Sequence, residues 1–192
     1  MRLTSKSEIL TRVAAGRVKW GPHPADVIPE PVRPGEESVW DYPRPPVIEA
    51  VVEPVRVLFA DQVIASSTKA VRVLETAGAP TYYIAPEDVC LDRLRVREGF
   101  SLCEWKGAAI YYDVHVGARL AEQGAFSYPD PLDDLAEGYA SLAGWIGFYP
   151  GRVDACFVGE ERVTPQTGGI YAGWITKAIK GPIKGAPGTE HW

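Results

Sequence analysis

Ser101-Leu102-Cys103-Glu104-Trp105-Lys106-Gly107 crowds a thiol, a carboxylate, an indole and an amine into one short run ahead of a glycine. A strand that only fills a core favours β-branched and aromatic residues at alternate positions, so this spelling predicts a turn that aims polar groups into a common space. Lys106, between an indole and a glycine, has the chemistry of a base, a Schiff-base nucleophile or an anion anchor, since partial burial lowers an amine's proton affinity. The structural alternative is a surface lysine whose stem packs on the ring. Cys103 is either a nucleophile, if Lys106 or His115 stabilises its thiolate, or a small apolar core residue. Glu87 and Asp88 follow Pro86 and either satisfy the free amides of a short helix or face Lys106 as an acid–base or ion pair. Asp130 has the position of an N-cap before Pro131. His115 shares a strand face with Asp113, opposite Val114 and Val116, which points it to solvent if the valines face inward.

Aromatic residues recur in the segments that carry these polar groups: Trp40, Tyr42, Tyr83, Trp105, Tyr112, Tyr128 and Tyr149. Aromatic walls with a few polar groups are how ligand clefts are built, and equally how a wedge between sheets is filled. The expected ligand-binding set is Tyr83, Asp88, Trp105, Lys106, Tyr112 and Tyr128; the expected catalytic set, if there is catalysis, is Lys106, Glu87 and Cys103. Standard signatures are missing. Gly99-Phe-Ser-Leu-Cys103 lacks the last glycine of a hydrolase elbow, and there is no Walker loop and no H-E-x-x-H.

Composition narrows the classes. The 192 residues suit one buried domain with terminal additions. No apolar run approaches the ~18 residues of a membrane span, and the start lacks the apolar core of a secretory leader, so no membrane and a cytoplasmic location are expected. Cys90, Cys103 and Cys156 are odd in number and widely spaced, and His23, His115 and His191 are scattered; neither a disulfide framework nor a zinc cage is expected, and no cofactor. A net charge of -5 makes nucleic acid a poor partner. Charge is uneven, however: Arg2, Lys6, Arg12, Arg17 and Lys19 make the start basic and Lys177, Lys180 and Lys184 the end, which reads as solvated termini or an anion-binding role.

The elements that must position these residues are mostly hairpins. Residues 55–65, 112–121 and 153–163 each read as an alternating strand, a tight polar or glycine turn, and a returning strand. Ser5-x-x-Glu8 has capping-box spacing ahead of Ile9, Leu10 and Val13, predicting a helix stopped near Gly16. Short helices are also expected from Ser67 through Leu74 and from Asp130 through Leu135 and Tyr139. Prolines recurring from Pro22 to Pro46 predict an extended arm over the domain. Trp40-Asp-Tyr-Pro-Arg-Pro45 and Phe126-Ser-Tyr-Pro-Asp-Pro131 echo each other and suggest two related halves. Together these predict a mainly β fold in which two antiparallel sheets share a core and leave a cleft.

The order of motifs, WDYPRPP at 40–46, RVLET at 72–76, TYYIAPEDV at 81–89, CEWKG at 103–107, FSYPDP at 126–131 and FYPGRVDA at 148–155, resembles the bacterial family catalogued as domain of unknown function 427 over roughly residues 38–165. The N-terminal arm and the GGIYAGWIT and GPIKGAPGT segments are similar to those of longer, actinobacterial-type members. The resemblance implies a β-tent, two antiparallel sheets pinned along one edge and splayed at the other, and implies no established activity. Nucleotidyl transfer, a label sometimes attached to relatives, needs a glycine-rich phosphate loop followed by carboxylates that hold two metal ions. Here Gly168-Gly169 runs into Ile170 and Tyr171 with no aspartate after it.

The resulting expectation is an N-terminal helix and arm over 1–38, a β-tent domain over 39–165, and a C-terminal extension over 166–192 packed on the domain or trailing from it. Its function is expected to be the binding of a small polar or anionic molecule in an aromatic-lined cleft between the sheets. An enzyme using Lys106 with Glu87 or Asp88, or Cys103 covalently, and a structural or protein-docking domain are the alternatives. Ligand identity and oligomeric state stay open.

Overall fold

The computed structural model describes residues 5–18, 24, 27–135, 138–189 and 192. Helix α1 (Lys6–Val18) opens on the reciprocal bonds of a capping box: the Ser5 amide donates to Glu8 Oε2 at 2.9 Å and the Glu8 amide to Ser5 Oγ at 3.3 Å. Gly16 does not end it. Instead Gly16 lies where an added Cβ would meet Glu104 Cβ at 3.4 Å, so its small size lets the helix approach the 104–106 turn.

The strands in chain order are β1 (Glu37–Ser38), β2 (Val47–Ala50), β3 (Val55–Phe59), β4 (Gln62–Ser67), β5 (Val71–Leu74) and β6 (Thr81–Ile84). The long β7 (Leu94–Cys103), β8 (Gly107–Val116) and β9 (Arg119–Ser127) follow, then β10 (Ile146–Phe148), β11 (Ala155–Val158), β12 (Glu161–Arg162), β13 (Thr164–Pro165), β14 (Trp174–Ile175) and β15 (Ile179–Lys180). Two main antiparallel sheets result, a seven-stranded one ordered β2-β5-β6-β10-β9-β8-β7 and a four-stranded one ordered β12-β11-β3-β4. The mainly β expectation holds, and all three predicted hairpins form. That of β3 and β4 turns through Ala60 and Asp61, both left-handed at φ 52° and 59°.

Two predicted helices do not form. Ser67 takes the Lys69 amide in a local turn, but Val71-Arg-Val-Leu74 then alternates as a strand between β2 and β6, where ladder pairing outweighs a weak cap. Between Asp130 and β10 the described residues are irregular, with a 3-10 turn only at Ala140–Leu142 among them; Leu132 and Tyr139 are buried individually against the sheet.

The space between the two sheets is filled. Val55, Val57 and Ile64 from one and Ile84, Val114 and Phe148 from the other are all at most 1% exposed, and Trp174 stacks on Tyr82 within the same core. The expected inter-sheet cleft is therefore a packed core. Because strand side chains alternate, the partners of these residues, Tyr83 beside Tyr82 and Ile84, Ala109 and Tyr111 on β8, and Phe126 on β9, project from the opposite, outer face of the seven-stranded sheet.

That outer face is covered by the chain's irregular parts. Tyr139, Leu142 and Tyr149 of the connections around β10 pack on it with Ala172 from the C-terminal extension. The extension is pinned by two short ladders, β13 with β14 and β1 in parallel with β15, so residues 166–173 form the loop of a hairpin lying over the sheet. The proline arm crosses the same segment, with the Glu30 amide donating to Gly181 O at 2.7 Å. Arg2, Lys19, Pro22, His23 and His191 lie outside the described residues. Among the described residues no helix is long and apolar enough to cross a membrane.

Candidate functional site

A cavity of about 370 Å³ opens on the outer face of the large sheet. Its floor comes from strands: Thr81 and Tyr83 of β6, Ser101 and Cys103 of β7, Ala109 and Tyr111 of β8, and Phe126 of β9. Tyr128 and Tyr149 close its sides, Glu104 and Lys106 of the β7–β8 turn form one end, and Ile170, Tyr171 and Ala172 of the hairpin loop form a roof. Phe126 can lie flat in this wall because Gly147 is its neighbour across the ladder; a Cβ on Gly147 would stand 2.3 Å from the Phe126 ring.

The β7–β8 turn is held from two directions. Gly107 takes φ +92°, a conformation that suits glycine, and the Leu132 amide donates to Lys106 O at 3.0 Å. On the other side Arg17 of α1 donates through Nε to Glu104 O at 2.6 Å and pairs with Asp134 at 2.5 Å, while its guanidinium lies 6.0 Å from the Trp105 ring centre. The helix itself is seated by Ile9 and Val13 against Ala108 and Leu132.

Lys106 is only 7% exposed, and its Nζ sits 5.6 Å from the centre of the Tyr128 ring. Among the described residues its ammonium has no carboxylate or hydrogen-bond partner. Burial pushes its proton affinity down, but attraction to Cys103, Tyr83 and Glu75 outweighs this, and the net direction is upward. Of these neighbours Glu75 carries charge at neutral pH. Its carboxyl is opposed by burial yet held below its usual range by Lys184, Lys106 and Arg44, with Nζ of Lys184 at 3.4 Å and Nε of Arg44 at 3.6 Å. Burial pushes the Tyr83 and Tyr128 phenols up, so both remain protonated donors. At the rim, Ser101 Oγ and Tyr111 OH share a 2.6 Å hydrogen bond.

Of the residues expected from sequence, Lys106, Cys103, Tyr83 and Tyr128 meet in this cavity. Cys103 is half-buried and its Sγ accepts the Lys106 amide at 3.5 Å. His115 is exposed and eight residues along β8 from Gly107, the ladder partner of Cys103, roughly 27 Å away in an extended strand, so it gives that thiol no support. Trp105 is buried behind the turn, outside the cavity wall. Tyr112 points to the inter-sheet core, and its neighbour Tyr111 takes the wall position that alternation denies it. Glu87 is exposed and Asp88 accepts from Ser67 Oγ at 2.5 Å, both on the 3-10 turn Pro86–Asp88, which leads to a bridge with β4 in the other sheet. Neither lines the cavity, so the geometry does not pair them with Lys106. Missed from sequence were Tyr111, Phe126, Tyr171 and Glu75; the Phe126–Gly147 complementarity and the alternation of Ala109 with Tyr111 were the signals within reach.

Among the described residues no three His, Cys, Asp or Glu side chains cluster as a metal would require. A search of curated proteins finds no match. The family described as Domain of unknown function (DUF427) matches residues 47–159, a span that holds both main sheets up to the β11–β12 turn and every cavity wall except the Ile170–Ala172 roof. The chain belongs to the Domain of unknown function (DUF427) family.

Proposed function

We propose that this protein binds a small anionic molecule in the cavity on the outer face of its large sheet, with Lys106 as the anchor and the tyrosines as walls. The observation that carries this reading is the buried Lys106 ammonium without a partner among the described residues, beside an aromatic cavity. A buried charge is costly unless paired, and the pair it lacks is one a ligand can supply. Proton transfer by Lys106 gains no support, because its amine is held charged and the carboxylates at 87 and 88 are elsewhere.

The test is thermal denaturation of the wild type and of Lys106→Met against organic acids, sugar phosphates and nucleotides. The expected result is saturable stabilisation of the wild type by an anion, growing with the logarithm of its concentration and absent in the variant. Removing the Lys106 charge also removes an attraction that helps hold Glu75 ionised, so the free variant is expected to be less stable than the wild type by about 1 kcal/mol, and the ligand effect is read as the shift within each protein. Affinity stays flat from about pH 6 to about pH 9, since an amine with raised proton affinity does not titrate there. Equal stabilisation of both proteins, or none of either, would sink the reading.

A further inference from the structure

We infer that Cys103 is a covalent attachment site for a small electrophile that carries a negative charge, which Lys106 holds against the sulfur. This rests on the anion-binding reading and adds a chemical step to that same cavity.

The β7–β8 turn sets the geometry. Cys103 ends β7 and pairs with Gly107 across the ladder, and Lys106 stands three residues on, at the other side of the turn. Alternation puts Cys103 on the same face of β7 as Ser101, and both line the cavity, as Lys106 does. The Lys106 amide donates to Cys103 Sγ at 3.5 Å, which keeps the sulfur at the wall. A half-buried thiol and a buried ammonium thus share one end of a cavity of about 370 Å³, room for a small molecule.

The amine is what selects for charge. Among the described residues Lys106 Nζ has the Tyr128 ring, 5.6 Å away, and no carboxylate or hydrogen-bond acceptor. Burial opposes its charge, yet of the groups that raise its proton affinity Cys103 comes first, and the amine stays protonated at neutral pH. Glu104, in the same lining, is itself drawn to Arg44. An anion held by this ammonium brings the atoms next to its charged group to the sulfur, and a bimolecular encounter becomes a step within the complex.

The step balances without an oxidant. In a displacement the thiol gives its proton to solvent, the sulfur pair bonds the electrophilic carbon, and the leaving group departs with the pair of the broken bond. With an α,β-unsaturated acid the sulfur bonds the β-carbon, the α-carbon takes a proton as the π bond is lost, and nothing leaves. The other two thiols are placed differently. Cys90 is exposed, outside the cavity lining, and its Sγ donates to Val63 O at 3.7 Å. Cys156 is 1% exposed in the core between the sheets, where burial pushes its thiol up.

The experiment alkylates the full chain and Lys106→Met with iodoacetate or with neutral iodoacetamide and follows each cysteine by peptide mass spectrometry. Cys90 is the reference thiol, and an unmodified Cys156 shows that the protein stays folded. Iodoacetate is expected to be favoured over iodoacetamide at Cys103 by at least about tenfold relative to the same ratio at Cys90, with a rate that saturates and is slowed by acetate. This preference is expected to vanish in Lys106→Met. Equal ratios at Cys103 and Cys90, or a Cys103 that neither reagent modifies in the folded protein, would overturn the attachment site; the anion-binding reading then stands or falls by the thermal shifts of Cys103→Ser, in which no adduct forms. An unchanged preference in a folded Lys106→Met would remove Lys106 as anchor and with it both readings. If Cys156 is modified in that variant, saturation by iodoacetate and competition by acetate in the wild type decide, and a rate without either overturns the proposal.

Discussion

Phe126 and Gly147 face each other across the β9–β10 ladder, and the ring occupies the space that any larger residue at 147 would need. The aromatic wall of the cavity thus depends on a missing side chain two strands from Lys106. Gly147→Ala is expected to destabilise the protein by about 2 kcal/mol through overpacking and to tilt Phe126 out of the wall, read as a lowered urea midpoint with unchanged slope. An unshifted midpoint would show that the ring has room to retreat. Tyr111 and Tyr112 make a related point. Both are aromatic and adjacent, and strict alternation sends one to the cavity and the other to the core, but which goes where depends on which face of the sheet is covered by what.

The basic termini, which sequence leaves open between solvation and anion binding, act chiefly as fasteners for whole elements. Lys6 pairs with Asp130 at 3.0 Å, Arg17 with Asp134, Lys180 with Glu36 at 3.2 Å and Lys184 with Glu75, so the cationic ends bind the acidic middle of the chain. Arg17 clamps the turn that bears Lys106. Arg152 has a matching role for the roof: it donates to Gln123 O at 2.9 Å and to Gly169 O at 2.5 Å, with its guanidinium 4.1 Å from the Tyr149 ring centre. Arg152→Ala is expected to raise hydrogen exchange of the Gly168–Ala172 amides by about tenfold or more, with β8 and β9 unaffected. Unchanged exchange in the loop would mean that the β13–β14 ladder alone holds the roof. The hairpins and the capping box of α1 were legible because their signals are local. The strand at Val71–Leu74 was not, because only the presence of β2 and β6 on its two sides decides against a helical turn there.

At the scale of the whole molecule, Glu75 joins the C-terminal extension, through Lys184, to the cationic end of the cavity and to Arg44 of the N-terminal region. Its carboxyl lies below the ordinary value of 4.5 in the folded state, so it contributes stability above about that pH and loses it as pH falls through the depressed folded value. Glu75→Gln is expected to cost about 2 kcal/mol at pH 7, because three cations are left with less compensation, and its stability should converge on that of the wild type as pH falls below the depressed folded value. Urea unfolding at a series of pH values measures both; a constant gap down to that pH would show that the cost is not electrostatic. The other depressed carboxyls, Glu36, Asp113, Asp134 and Asp154, are common to both proteins and cancel in the difference.

Period-two alternation, turn glycines and the order of motifs determined by themselves that this chain is mainly β, where its hairpins turn, and that Lys106 and Cys103 share a turn with aromatic company. Those signals act over a few residues and survive without the rest of the fold. Only the tertiary structure decided that the sheets close on a packed core and that the cavity lies on the outer face, roofed by residues 170–172 from beyond the matched domain. It also decided that Glu75 stands near Lys106 where Glu87 and Asp88 do not. These facts depend on which face of a sheet is buried, and a strand's alternation is the same whichever face that is.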